Sequence, residues 1–189
     1  MAIQFPWARK QSIDLEECSD AVLMERLCKS GEHLAFQALY VRYGKRILAF
    51  LHRMLPGKPD LVEDLLQETF AKVWENPGSY TPGRPLAPWL FTIAANLAKN
   101  EWRKMNVRAK VHSGESAQEQ HQIRDSAPNQ ERLVDLQQFN TSLQKALNQL
   151  EEAHREVFLL RYQQEFSVKE ISEALQVPEG TVKSRLFYA

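Results

Sequence analysis

FSVKEISEALQVPEGTVKSRL, residues 166–186, decides both the fold class and the first functional expectation. Ser167 and Glu170 stand at the spacing of a capping box, in which each side chain bonds the other's backbone N–H. A helix is therefore expected to start at Val168, with Ile171 and Leu175 on its apolar face. Gln176-Val177-Pro178 interrupts the pattern, and a second helix opens at Glu179 to Thr181 with Val182 and Leu186 inward. Thr181, Lys183, Ser184 and Arg185 are left outside near its start. A short helix, a tight turn around Val177 and a second helix with a polar, basic face make a helix-turn-helix, whose second helix enters the major groove of DNA. Helical hairpins show the same pattern by chance, so the rest of the chain has to decide.

Working back from this stretch, the dominant periodicity is helical and strand signals are poor, which predicts an all-α protein. Ser19 and Asp20 read as the start of a short helix ended by Gly31. From Glu32 to about Leu55, Phe36, Leu39, Tyr40, Tyr43, Ile47, Leu51 and Met54 recur three and four apart, and Pro56-Gly57 stops the helix. Another helix is expected from Asp60 to Glu75. NPGSYTPGRP, residues 76–85, is too rich in Pro and Gly for regular structure. The next helix runs from Leu86 to Lys104 with Trp89, Leu90, Ile93 and Leu97 inward, Pro88 being tolerated in its first turn. Asn106–Gln130 is polar and reads as a mobile linker. Periodicity returns with Leu133, Leu136, Phe139, Leu143, Leu147 and Leu150, followed by Val157, Leu160 and Tyr162. The expected organisation is two helical domains, 19–104 and 131–189, joined by a polar tether over 105–130.

At 189 residues with zero formal net charge, the chain has no excess of cations for strong DNA binding by itself. Distribution matters more than the sum. Arg84, Lys99, Arg103, Lys104, Arg108 and Lys110 face a single acid, Glu101, whereas Asp60, Glu63, Asp64, Glu68 and Glu75 face only Lys72. One segment suits phosphate and its neighbour suits a basic protein. Cys18 and Cys28 are too few for a disulfide framework or a metal knuckle. The five histidines are scattered without nucleophile-base or metal spacing, so no catalytic residue, metal or cofactor is expected and an enzyme is disfavoured. No apolar run reaches membrane-spanning length, and a cytoplasmic protein is the expectation.

Residues on the Asp60–Glu75 helix separate into two stripes, since each step turns about 100°. Asp64, Gln67, Glu68, Ala71 and Glu75 share one side; Val62, Leu65, Leu66, Phe70 and Val73 share the other. An acidic outer face needs no partner to explain it, yet carboxylates flanking an amide on a rigid helix also suit docking of a basic partner. On the following helix Asn96, Lys99, Asn100 and Arg103 share the outward side, where Asn suits base edges and Lys or Arg suits phosphate. Trp89 reads as core. Trp102 is open between packing on the linker and stacking on a base, and Tyr80 between capturing an unpaired base and packing on its own domain.

The order DLLQETFAKVWE, PWLFTIAANLAKNEWRK, polar linker, FSVKEISEALQVPEGTVKSRL resembles a bacterial alternative sigma factor of the extracytoplasmic-function class, over about Ser19 to Leu186. The resemblance implies sigma region two, then a linker threading toward the polymerase cleft, then sigma region four. It implies that Asp64, Gln67 and Glu68 bind the β′ clamp helices of core RNA polymerase. Ser79 and Tyr80 match the loop that captures a flipped base of the minus-ten promoter element. Asn96 and Asn100 match the helix that reads and melts that element, with Lys99 and Arg103 holding phosphates. Thr181, Lys183, Ser184, Arg185 and Phe187 fall on the minus-thirty-five recognition helix, and Arg161 matches a backbone-contacting position before it. Implied partners are core polymerase (β′ clamp helices and β flap), promoter DNA and an anti-sigma factor, often membrane-anchored, which would hold the protein at the inner membrane face.

Some positions depart from the class. Glu151 follows Leu150 where Pro is common, and Ser172 and Gln176 stand where Ala and Gly are common. A left-handed Gln176 would cost on the order of 1 kcal/mol. Tyr188 replaces a frequent Arg, and the chain stops at Ala189 where relatives continue with basic residues, so the ending is expected to be a truncation or a natural shortening. Polymerase docking should then survive better than minus-thirty-five recognition. The alternatives are a stand-alone helix-turn-helix regulator or a helical adaptor that binds only protein. Glu131–Ala189 carries more acids than bases, which favours weak DNA binding assisted by a large partner.

Overall fold

The computed structural model describes residues 18–111 and 130–189. The N-terminal segment 1–17, linker residues 112–129, and the side chains of Leu133 and Leu136 lie outside the described residues. Among the described residues the regular elements are all helical. Helix α1 (Asp20–Ser30) starts where the Ser19 hydroxyl accepts a bond from Val22 N–H, and ends at Gly31, whose φ of 59° places it in the left-handed region. Asp20 then accepts bonds from Arg42 and Tyr43 of α2 (His33–Met54), tying the two helices together. Helix α3 (Pro59–Glu75) has proline at its start, where the missing N–H is harmless. A single tight turn, Pro77–Ser79, leads into the loop before α4 (Leu86–Val111). The α2–α4 core is dense: Phe50 and Phe91 are fully buried and meet edge to face with ring centres 5.3 Å apart.

Helix α4 passes the expected end at Lys104 and continues to Val111. The reason is local, because residues 105–111 contain neither Pro nor Gly and nothing terminates the helix there. Helix α5 (Gln130–Gln149) and α6 (Glu152–Phe158) follow, and α6 widens into a looser turn over Leu159–Gln163, where Gln164 N–H bonds Leu159 O. Phe139 and Tyr162, which the periodicity places inward, are each 64% exposed. The helix-turn-helix is α7 (Val168–Leu175) and α8 (Glu179–Phe187). Both bonds of the Ser167/Glu170 capping box are present.

Gln176 is left-handed, at φ 54°. The turn holds it: Ser172 Oγ donates to Val177 O at 2.6 Å, and Val177 N–H bonds Ser172 O. Ser172 thus contributes a bond that the usual Ala cannot. Gln176→Gly is expected to raise stability by about 0.5–1 kcal/mol by removing the Cβ penalty while the hydroxyl bond persists. Thermal unfolding would show it as a rise of about 2–4 °C per kcal/mol.

The helices of 19–104 and 131–189 pack against each other. Helix α7 packs along α4, and one continuous apolar cluster runs from Leu23 to Val182 across both. Positions 91, 92, 99 and 102 form one stripe of α4, with fully buried Ala95 between them. Phe91 meets Phe166 edge to face, ring centres 5.5 Å apart. The Thr92 hydroxyl lies 2.8 Å from Pro88 O and 3.0 Å from Ala174 O, so its proton is shared between its own helix and α7. Arg46 of α2 donates to Gln164 at 3.2 Å.

Candidate polymerase and nucleic-acid interfaces

On α3 the opposed stripes appear as the spacing predicts. Val62, Leu65, Leu66, Phe70 and Val73 are buried, and Asp64, Gln67 and Glu68 are all exposed on the other side. Thr69, buried among the apolar residues, is satisfied by donating to Leu65 O at 2.7 Å. The local partner of the acidic face is weak: Lys72 reaches Glu68 at 3.5 Å in a half-exposed pair. Such pairs contribute a few tenths of a kcal/mol, so an external cation displaces Lys72 at little cost.

The loop before α4 holds Tyr80 inward. Tyr80 is 7% exposed, its ring packs against Trp89 at 5.5 Å, and its hydroxyl donates to Arg84 O. It packs on its own domain in this conformation. Ser79 is exposed and donates to Asn76 O, leaving the rim of the loop accessible. On α4, Asn96, Asn100 and Arg103 are exposed. Lys99 is not, because its side chain is 22% exposed and its ammonium lies 3.1 Å from Glu156 of α6. Trp102 is half-buried. Its ring lies under the Arg155 guanidinium, 5.1 Å from centre to carbon.

On the reading helix α8, Lys183 and Ser184 are exposed, Thr181 and Arg185 are partly covered, and Phe187 is 82% exposed. Glu179 pairs with Lys183 at 3.9 Å, a contact too loose to withhold the lysine from phosphate. Arg161 is exposed but already donates to Phe166 O at 2.9 Å, closing the turn that precedes the helix-turn-helix.

Sequence reasoning missed a buried charge cluster. Arg155 donates to Leu147 O at 2.8 Å, Leu150 O at 3.2 Å and Asn148 O at 3.4 Å, the carbonyls around the end of α5. It also donates to Met54 O at the end of α2, at 3.0 Å. One cation thus meets the negative ends of two helices from opposite halves of the chain. Beside it, burial pushes the Glu156 carboxyl above its ordinary range, opposed by Lys99 and Arg185. Burial and the Glu156 charge also raise Glu152, opposed by Lys99, Arg103 and Arg155. The available sequence signal was Glu156 four residues before buried Leu160, a charge on an apolar stripe.

Comparison with known proteins decides the family. Residues 39–108 match the family model "Sigma-70 region 2", and residues 140–189 match "Sigma-70, region 4". The ECF RNA polymerase sigma factor SigW of Bacillus subtilis is 34% identical over 163 residues, covering 84% of this chain and 86% of that protein. The chain belongs to the extracytoplasmic-function sigma factors. The RNA polymerase sigma factor CarQ of Myxococcus xanthus is 33% identical over 86% of this sigma factor and 88% of that one. The solved sigma factor RpoE of Bartonella quintana, in complex with the anti-sigma factor NepR, superposes with a TM-score of 0.64. It is 29% identical over 81% of this chain and 90% of that chain. In this sigma factor Met54, Thr92, Lys99 and Trp102 belong to region two, whereas Arg155, Glu156 and Ala174 belong to region four. The buried charges therefore lie on the seam between the two regions. Among the described residues, no helix is long and apolar enough to cross a membrane, and no cluster of His, Cys, Asp or Glu could hold a metal.

Proposed function

We propose that this sigma factor binds core RNA polymerase and directs initiation at a specific promoter class, acting as a recognition subunit without catalytic activity of its own. The observation that carries the reading is the pairing of two accessible faces: the acidic Asp64, Gln67 and Glu68 row on α3, and the basic start of α8 with Lys183 and Ser184. Asp64, Gln67 and Glu68 take charge-assisted bonds from the β′ clamp helices. Asn96 and Asn100 read minus-ten bases, Lys99 and Arg103 take phosphates, and the loop rim at Ser79 lies beside the displaced base. Tyr80 serves that loop as a strut, its ring holding Trp89 and its hydroxyl holding Arg84 O. Thr181, Lys183, Ser184, Arg185 and Phe187 face the minus-thirty-five element, with Arg161 at the preceding backbone and the β flap behind region four.

Because a relative of known structure was solved with an anti-sigma factor, an anti-sigma partner is proposed here too, one that withholds the protein from polymerase, in the cytoplasm or at the inner membrane face. Run-off transcription with purified core polymerase tests the reading. A promoter-dependent product is expected only when both are present, and the chain alone should retain no promoter fragment at about 0.15 M salt, where few uncompensated cations give weak binding. No product from any fragment of the source genome would sink the proposal, and promoter retention without polymerase would favour a stand-alone regulator.

A further inference from the structure

Helices α1 and α2 form an antiparallel hairpin that places the start of α1 at the middle of α2. Arg42 donates to Asp20 and, at 2.8 Å, to Cys18 O, and Tyr43 donates to Asp20. Up to that point α2 seats α1 on small buried residues, Ala35 and Ala38. Beyond it the same face changes character. At about 100° per residue, Lys45, Ala49 and Arg53 continue the line of Ala38 and Arg42 toward the end of the helix, with Lys58 just past it. Lys45, Ala49 and Lys58 are exposed, and Arg53 is partly covered. No Asp or Glu occurs from His33 to Pro59, and among the described residues Lys45, Arg53 and Lys58 form no ion pair. Arg46 flanks this row, but its guanidinium lies over the Tyr43 and Phe91 rings and donates to Gln164. A bare row of cations thus extends the seat of α1, in a chain whose formal net charge is zero.

The sequence places carboxylates beside it. Asp14, Glu16 and Glu17 directly precede Cys18, and α1 runs away from Arg53, so an extended approach on the axis of α1 passes over the row. An extended chain covers about 3.3–3.6 Å per residue, which puts Glu16 and Asp14 about 7 and 14 Å from Cys18 and, by strand alternation, on one side. Lys45 and Arg53 stand about 4.5 and 16.5 Å beyond Arg42 at about 1.5 Å per residue. The long basic side chains span the difference. We propose that the basic row of α2 seats the chain's own N-terminal acidic run as a strap, with Glu16 at Lys45 and Asp14 at Arg53, which keeps these cations from other polyanions. Complementary charge sets the register of the strap. Exposed ion pairs are individually weak and screened by salt, so the strap is held by several contacts together and loosens at high ionic strength.

The test uses the full chain and a carbodiimide, which joins a lysine amine to a carboxylate only when the two touch. Mass spectrometry of the monomer is expected to find Lys45 linked to Glu16 at least fivefold more often than the new lysine of Val41→Lys, which is exposed, equally near Cys18 in sequence and off the row. About 1 M salt, where the screening length falls to about 3 Å, should abolish the preference. Equal linkage at positions 41 and 45 would overturn the strap, and linkage found only in covalent dimers would assign the row to a second copy instead. Heparin affinity provides an independent readout, with helicity checked by circular dichroism. In the unaltered chain Lys45→Gln with Arg53→Gln should change it less than twofold, because the strap already covers both cations. In a chain carrying Asp14→Asn, Glu16→Gln and Glu17→Gln, the same pair of changes should weaken it at least fivefold. Equal losses in the two backgrounds would show that the row meets polyanions such as DNA directly and would refute the strap.

Discussion

A chain carrying Asp64→Arg and Glu68→Arg is expected to lose core-polymerase binding by at least 100-fold while keeping its helicity. Both side chains are exposed on α3, and neither touches the Val62, Leu65, Leu66, Phe70 and Val73 stripe that fixes the helix against its neighbours. The internal cost is confined to the Lys72–Glu68 pair, worth a few tenths of a kcal/mol. Across an interface the change is far larger, since two attractive contacts become like-charge contacts, at several kcal/mol in total, and about 1.4 kcal/mol corresponds to tenfold in affinity. Titration of labelled core polymerase measures the loss, and circular dichroism confirms the fold. Wild-type affinity in the double variant would remove α3 from the docking surface.

The largest stability effect is expected at Arg155. Arg155→Met keeps the apolar stem but removes five donors at a site 2% exposed, leaving the carbonyls of Leu147, Leu150, Asn148 and Met54 without this partner. Leaving a buried acceptor unsatisfied costs about 1–3 kcal/mol, and relaxation and water entry keep the sum below a simple addition. A loss of about 3 kcal/mol is expected, or a drop of roughly 6–12 °C in melting temperature for a chain of this size. Arg155→Lys should recover little, because an ammonium cannot serve a fork of carbonyls from both helix ends while covering Trp102. Arg161→Met provides the contrast: it is exposed and makes one bond, so about 1 kcal/mol or less is expected. Equal melting temperatures for Arg155→Met and the unaltered chain would show that the bolt contributes nothing.

The helices were legible because their signals are local. Ser19, Gly31, the Pro56-Gly57 pair and the Ser167/Glu170 box mark ends that a few neighbouring residues determine. The two stripes of α3 and the left-handed Gln176 were equally readable, one from angular spacing and the other from the turn it has to make. Other features depend on pairings between distant residues. Arg155 meets Met54 across 101 positions, and no periodicity reports which carbonyl a buried guanidinium will find. Lys99 reads as outward because it is a charge in the same register as Asn96 and Arg103, and the structure covers it with a carboxylate from another helix. Tyr80, drawn inward by Trp89, and Phe187, left outside, likewise follow their tertiary surroundings.

The Arg155 guanidinium has a consequence for cooperativity. By gripping the last carbonyls of α2 and of α5 together, it makes the fraying of either helix end a loss to both regions. The apolar cluster continues across the same seam, so the two regions are expected to unfold together, and a weakness in one is felt by the other. Anything that parts the two regions would divide that shared stability into two smaller sums.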